Sequence, residues 1–153
     1  MNEMYIYEES RVFTDHGAVT VTRFLTEAEI EAKRRQGKKR TLFVPPYTSA
    51  SISKNGVAAL LQKYDAFRDA CIQLYSGLRV TMGSDYVLLD PVEYTCVTID
   101  SAFDMVHIRK YYLPAGCHDV YTQLKPSKKG VNVSAVEMLN ALDVIKELYC
   151  MME

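Results

Sequence analysis

Met105-Val-His-Ile-Arg-Lys-Tyr-Tyr112 sets Val106, Ile108 and Lys110 against His107, Arg109 and Tyr111. That alternation is the pattern of a half-buried strand, with one apolar face and one face carrying a cation and rings. After a turn-like break comes Tyr121-Thr-Gln-Leu-Lys-Pro-Ser-Lys-Lys-Gly-Val-Asn-Val-Ser134. It concentrates Lys125, Lys128 and Lys129 beside Pro126 and Gly130, which respectively fix and free the backbone of a turn. Ser134 and Glu137 have the spacing of a capping box, which predicts the start of a helix. Met138, Leu142, Ile145, Tyr149 and Met152, with Leu139 and Leu148 beside them, then fall on one helical stripe.

Ile108-Arg-Lys-Tyr-Tyr112, followed by Leu124-Lys-Pro-Ser-Lys-Lys-Gly-Val-Asn-Val-Ser134 and a helix, resembles the DNA-binding domain of the transcriptional coactivator positive cofactor four. The resemblance covers roughly Tyr86 to Met152. It implies four antiparallel strands followed by one helix, dimerisation, and binding of single-stranded DNA in transcription or DNA replication. It puts Arg109 at the family's phosphate-binding arginine and Lys125, Lys128 and Lys129 at its loop cations. Tyr112 stands in the place of the family's stacking Trp, and Phe103 lies near its ring in the turn between the first two strands. Two departures are plain: the Trp is a Tyr, and the glycine after the loop proline is Ser127. Members of this family occur in cellular and viral settings, so the implied location is the nucleus, or the host cell for a viral protein.

A chain of 153 residues with 48% hydrophobic and 24% charged content is an ordinary globular protein, enough for one compact domain or two small ones. No apolar run approaches the roughly 18 to 20 residues of a membrane span, and the N-terminus lacks a basic, then apolar, signal segment. The expectation is an intracellular protein with no membrane partner. Cys71, Cys96, Cys117 and Cys150 are scattered without a C-x-x-C pair, which predicts reduced thiols. Cys117 and His118 are adjacent, with His107 upstream, but adjacency is not the spacing of a tetrahedral site. No metal and no other cofactor is expected.

The first half repeats the plan of the second. Tyr5 to Tyr7 and Arg11 to Thr14 are short strand candidates, Asp15, His16 and Gly17 a turn, and Ala18 to Leu25 an alternating strand. Val19-Thr-Val-Thr-Arg-Phe-Leu25 lines up with Met105-Val-His-Ile-Arg-Lys-Tyr111, which puts Arg23 in the place of Arg109. Glu27, Glu29 and Glu31 then precede Lys33, Arg34, Arg35, Lys38, Lys39 and Arg40. Acid leading and base trailing suits a helix dipole, so a short helix fraying into a basic loop is expected. Thr41 to Val44 reads as a strand ended by Pro45 and Pro46, and Ser51 to Ser53 as a short fourth strand. One helix follows through Val57, Leu60, Leu61, Tyr64, Phe67, Cys71, Leu74 and Tyr75, closing near Gly77.

The order of four strands and a helix thus occurs twice, at residues 1–80 and 81–153, which makes the fold class α+β. One such unit leaves a marginal core, whereas two can cover each other. The expectation is a covalent pseudo-dimer of two ββββα units in one compact domain, with antiparallel sheets and two helices packed centrally. That plan is similar to the Whirly family, also a tandem of four strands and a helix that binds single-stranded nucleic acid. The alternative is chance similarity within an ordinary α+β domain.

Lys and Arg number 18 against 19 Asp and Glu, so net charge does not point to nucleic acid. Clustering does: Lys33, Arg34, Arg35, Lys38, Lys39 and Arg40 form one basic run and Lys125, Lys128 and Lys129 another. Single strands are held by a cationic groove with rings on which bases stack. The expected contacts are Arg23, the cations from Lys33 to Arg40, Phe103, Arg109, Tyr112, Lys125, Lys128 and Lys129. For the first basic run, a solvated loop or import signal is the alternative; for Arg109, an ion pair with Asp100 or Asp104. The chain contains no G-x-S-x-G, P-loop or H-E-x-x-H, so it reads as a non-enzyme. Asp85, Asp90, Glu93, Asp100 and Asp104 are the material for a metal-dependent nuclease, the enzymatic alternative. A third reading is a protein-interaction module of a transcription or replication complex with weak nucleic-acid binding, RNA included. Exposed sheet edges predict a homo-oligomer.

Overall fold

A computed structural model of the chain describes residues 3–7, 10–15, 17–36, 47–78, 86–101 and 105–152. The strands β1 (Glu3–Tyr7), β2 (Ser10–Asp15) and β3 (Ala18–Phe24) are followed by helix α1 (Glu27–Gln36) and strand β4 (Tyr47–Ser53). Helices α2 (Lys54–Gln62) and α3 (Tyr64–Tyr75) come next. Strands β5 (Val87–Asp90), β6 (Thr95–Asp100), β7 (Met105–Tyr112) and β8 (Lys125–Ser134) lead into helix α4 (Ala135–Cys150). The strands form two antiparallel sheets, β1-β2-β3-β4 and β5-β6-β7-β8. The fold is α+β. Among the described residues no helix is long and apolar enough to cross a membrane.

The local signals act where they were read. Ser134 Oγ accepts from Glu137 N at 3.2 Å while Glu137 Oε1 accepts from Ser134 N at 3.0 Å, a complete capping box at the start of α4. Thr26 and Glu29 make the same reciprocal pair at α1, each bond 3.2 Å. Gly17, at φ +78°, takes the left-handed turn between β2 and β3 that a side chain would disfavour. The single long helix expected from Val57 to Gly77 is two: the chain breaks at Lys63. The break lets α2 lie against β4 and β5 while α3 runs along α4. The expected strand from Thr41 to Val44 lies outside the described residues; β4 begins at Tyr47.

Each sheet turns one face to a shared core. Val12, Val19, Val21 and Ile52 from the first sheet meet Val97, Ile108, Val131 and Val133 from the second, with Leu60, Phe67, Leu74, Met138, Leu142, Ile145 and Leu148 of the helices between them. Helix α4 packs on β1, β2 and β3 as well as on β7 and β8, and α2 packs on β5 as well as on its own strand β4. Neither sheet is covered by its own following helix alone. A smaller cluster of Tyr86, Cys96 and Leu124, with Leu88, Tyr94, Tyr111, Leu113 and Val120, covers part of the second sheet away from that core. Burial pushes the thiols of Cys71 and Cys96 up to about 11 and about 12, so both stay protonated and inert.

The registers of the two sheets can be set side by side. Ala18 stands opposite the N-cap residue Ser53, and Met105 opposite the N-cap residue Ser134. Counting along β3 and β7 from there, Thr20 matches His107, Thr22 matches Arg109 and Arg23 matches Lys110. The neighbouring strands agree, since Arg23 stands opposite Ser10 and Lys110 opposite Thr95. In that register Arg23 stands one residue beyond the place of Arg109, the position at which the sequence alignment put it. A slip of one residue exchanges the faces of a strand: Arg23 shares parity with the buried Val19 and Val21, whereas Arg109 lies opposite in phase to Val106 and Ile108.

Candidate functional site

Away from the core, the second sheet presents Thr98 on β6, His107, Arg109 and Tyr111 on β7, and Asn132 on β8. Period-two alternation puts all five on one face. Thr98, His107, Arg109 and Tyr111 border an open cleft of about 980 Å³ whose walls also include Leu78, Asp100, Pro126, Ser127 and Lys128. Arg109 Nη2 donates to Asn132 Oδ1 at 2.7 Å, and Nη1 donates to the Ser127 carbonyl at 3.3 Å. Both acceptors are neutral, and no carboxylate pairs with Arg109 among the described residues. The ion pair with Asp100 does not form: Asp100 Oδ2 instead lies 3.7 Å from His107 Nε2, and Asp104 lies outside the described residues.

Tyr111 forms the ring wall of this cleft. Its ring lies 5.0 Å from that of Tyr86, and its hydroxyl is 2.8 Å from Thr98 Oγ1. Burial pushes the Tyr111 phenol up, against the hydrogen bond with Thr98, so it stays neutral. Tyr112, the ring expected to stack, is 52% exposed and alternates to the side opposite Arg109. Tyr111 therefore shares the arginine's cleft and Tyr112 does not. The period-two rule applied to Arg109 already gave that answer. Phe103 lies outside the described residues.

The lysine loop is part of β8. Between the pairs Arg109–Gly130 and Tyr111–Pro126, β8 carries Ser127, Lys128 and Lys129 against Lys110 alone, a bulge. Ser127 staples it: its Oγ donates to the Lys110 carbonyl at 2.6 Å and accepts from Lys129 N at 3.2 Å. Ser127 thus holds the bulge in place. Gly130 is required by close approach, since a Cβ there would lie 2.5 Å from the Ile108 carbonyl and 2.7 Å from Arg109 Cα. The bulge pushes Lys128 and Lys129 outward. They meet Lys110 and the Thr48, Ser49 and Ser51 stretch of β4 around a second groove of about 360 Å³ between the two sheets. Lys128 borders both cavities, Lys129 the second only, and Lys125 neither.

The remaining expected contacts are dispersed. Arg23 lies 3.1 Å from Glu29 Oε2 and 4.0 Å from Glu137 Oε1, so its charge is met by acids. Burial opposes ionisation of Glu29, but the Thr26 backbone and Arg23 outweigh it and hold the carboxyl below its usual range. Arg34 and Arg35 are exposed on α1 and lie within 3.8 and 3.6 Å of Glu31. Lys38, Lys39 and Arg40, and the side chain of Lys33, lie outside the described residues. Sequence reading passed over His107, Lys110 and Asn132 as contacts; their signal was their position in the two strands already singled out. The hydroxyls of Thr48, Ser49 and Ser51, with Tyr47, are legible in the sequence as what the first half offers in place of the lysine-rich loop.

The described acids form no common site. Asp90 accepts from Ser53 Oγ and from the backbone of Val92 and Glu93, Glu93 pairs with Lys110 at 2.6 Å, and Asp85 and Asp104 lie outside the described residues. Among the described residues no group of three or more His, Cys, Asp or Glu is placed to hold a metal ion. Comparison with family models, with curated proteins and with solved structures gives no match.

Proposed function

We propose that this chain is a sequence-nonspecific single-stranded DNA-binding protein of the positive cofactor four type, a coactivator or accessory factor in transcription or DNA replication. The observation that carries the reading is the cleft in which Arg109, oriented by neutral acceptors, stands beside Lys128 and the ring of Tyr111. Cations without acid partners attract phosphate, and a ring on the same face offers a stacking surface that paired bases cannot reach.

The fold is read with it as two ββββα units, 1–80 and 81–153, forming a pseudo-dimer similar in plan to the Whirly family. The matched registers support this, as does the packing of each unit's helices on the other unit's strands. The two units differ at one pair of positions. Buried Ser10 on β2 donates to Glu137, three residues beyond the N-cap of α4. The register counterpart of Ser10 is Thr95, and the counterpart of Glu137 is Gly56, three residues beyond Ser53. Gly56 has no side chain to offer, and Thr95 Oγ1 is buried without a hydrogen-bond partner among the described residues.

The test is titration of labelled oligothymidine and of blunt duplex of equal length across a range of salt. Single strands are expected to bind more tightly, with affinity falling log-linearly by about 0.7 per neutralised phosphate. Tyr111→Leu should cost about 1 to 3 kcal/mol of binding while leaving the salt slope unchanged, and Tyr111→Phe should bind as wild type. Preference for duplex, or affinity indifferent to salt, would overturn the reading.

A further inference from the structure

His107 borders the cleft from β7, and its surroundings fix where its protons sit. Asn132 on β8 turns toward it an atom that also accepts from Arg109 Nη2 at 2.7 Å. A guanidinium only donates, so this end of the amide is its oxygen. His107 Nδ1 lies 2.5 Å from the same oxygen and is therefore the ring nitrogen that carries a hydrogen. In the neutral ring Nε2 is then a bare lone pair, and it lies 3.7 Å from Asp100 Oδ2 on β6. Acceptor faces acceptor. Protonation turns Nε2 into a charged donor and makes the contact an ion pair. The two side chains keep 24% and 32% of their surface in solvent, so protons reach the pair freely.

The groups around the ring come from every element of the cleft. From β6 come Asp100 and, directly opposite, the neutral Thr98. From β7 come Arg109 and the neutral phenol of Tyr111, from β8 the neutral Asn132 and Lys128, and from the end of α3 only Gly77 and Leu78. Among the described residues that line the cleft, Asp100 is the single acid, against the cations Arg109 and Lys128. Its carboxylate repels a phosphate held by Arg109, and an imidazolium beside it offsets that repulsion. We propose that His107 is a proton-operated contact of the single-strand site: protonated, it offsets Asp100, the cleft holds a strand more tightly, and strand binding and proton uptake by the ring favour each other. This deepens the single-stranded-DNA reading above and rests on it. The coupling is reciprocal by linkage, and imidazoles change charge between about pH 5 and pH 8, which sets the range of the response.

The experiment titrates labelled oligothymidine, whose base does not ionise in this range, at fixed salt between about pH 8 and about pH 5.5. Wild-type affinity is expected to rise roughly 5- to 150-fold on acidification, the span of a typical coupling between two ligands. Its salt slope should steepen by about 0.7, the equivalent of one cation. His107→Gln keeps a donor for Asn132 but takes no charge, so it should hold the weak alkaline affinity at every pH. Asp100→Asn should bind near pH 8 about as tightly as wild type does near pH 5.5, because the charge in the cleft is then the same. Imidazole NMR signals of the free protein give a readout that needs no DNA: Asp100→Asn should move the titration of the His107 ring to lower pH. Wild-type affinity that does not change with pH, or a His107→Gln variant that gains on acidification as wild type does, would overturn the proposal and leave the single-strand reading standing. A wild type that binds oligothymidine at no pH overturns both.

Discussion

Asn132 Oδ1 accepts from Arg109 Nη2 at 2.7 Å across the β7–β8 pair, and His107 Nδ1–H donates to the same oxygen. A neutral acceptor orients the guanidinium without cancelling its charge, which a carboxylate in that place would do. Asn132→Asp is therefore expected to weaken single-strand binding and to flatten the salt slope by about 0.7, the equivalent of one cation. Asn132→Ala should weaken binding less and keep the slope. Anisotropy titrations at several salt concentrations separate the two, and an Asp variant that binds as wild type would remove Arg109 from the site.

The three loop lysines are placed unequally. Lys128 borders both cavities, Lys129 one, and Lys125 stands opposite Tyr112 beyond them. Affinity for single strands should fall most for Lys128→Ala and least for Lys125→Ala. Changing all three should flatten the salt slope by roughly 2. Equal effects from the three single variants would show that only total charge matters.

Gly130→Ala puts a methyl 2.5 Å from the Ile108 carbonyl and 2.7 Å from Arg109 Cα. Backbone cannot yield as a side-chain tip does, so β7 and β8 must separate. A loss of about 1 to 3 kcal/mol of stability is expected, the range for overpacking, together with weaker binding through displacement of Arg109. Urea unfolding of the variant checks the first and titration the second.

Asp90 carries a pH dependence. Burial pushes its carboxyl up, but the hydrogen bonds from Ser53, Val92 and Glu93, and the charge of Lys110, outweigh that and hold it below the usual 3.8. A lowered folded value means that the unfolded chain takes up the proton first. The stabilisation is therefore present above the ordinary aspartate range and is lost as pH falls through the lowered one. Wild-type stability should drop between about pH 5 and pH 3 by more than that of Asp90→Asn. Parallel curves for the two proteins would show that the contact between β5 and the α2 cap contributes nothing.

Thr95→Val removes a buried hydroxyl that has no partner among the described residues. An unmet buried polar group costs about 1 to 3 kcal/mol, so the valine variant should be more stable by an amount on the order of 1 kcal/mol. Ser10→Ala is the contrasting case, because Ser10 donates to Glu137. It should destabilise. Chemical denaturation of both variants gives opposite signs if the two positions differ as described.

Sequence by itself determined what neighbours along the chain decide. The capping box of Ser134 and Glu137 needs only residues three apart, and the apolar stripe of α4 needs only a helix. Alternation in Met105–Tyr112 fixed which residues share a face, including Tyr111 with Arg109. Tertiary structure decided everything that depends on pairing between distant segments. Val19-Thr-Val-Thr22 is buried at every position, so burial of that run cannot tell one register from the next; the strand opposite and the cap at Ser53 fix it. With the two registers matched, Thr22 rather than Arg23 falls in the place of Arg109. The acid beside the α2 cap comes from Asp90, 37 residues away, because Gly56 leaves no side chain at the position where α4 has Glu137. The groove that joins Lys128 and Lys129 to the β4 hydroxyls exists only because two sheet edges meet, and no local pattern records where one strand will lie beside another.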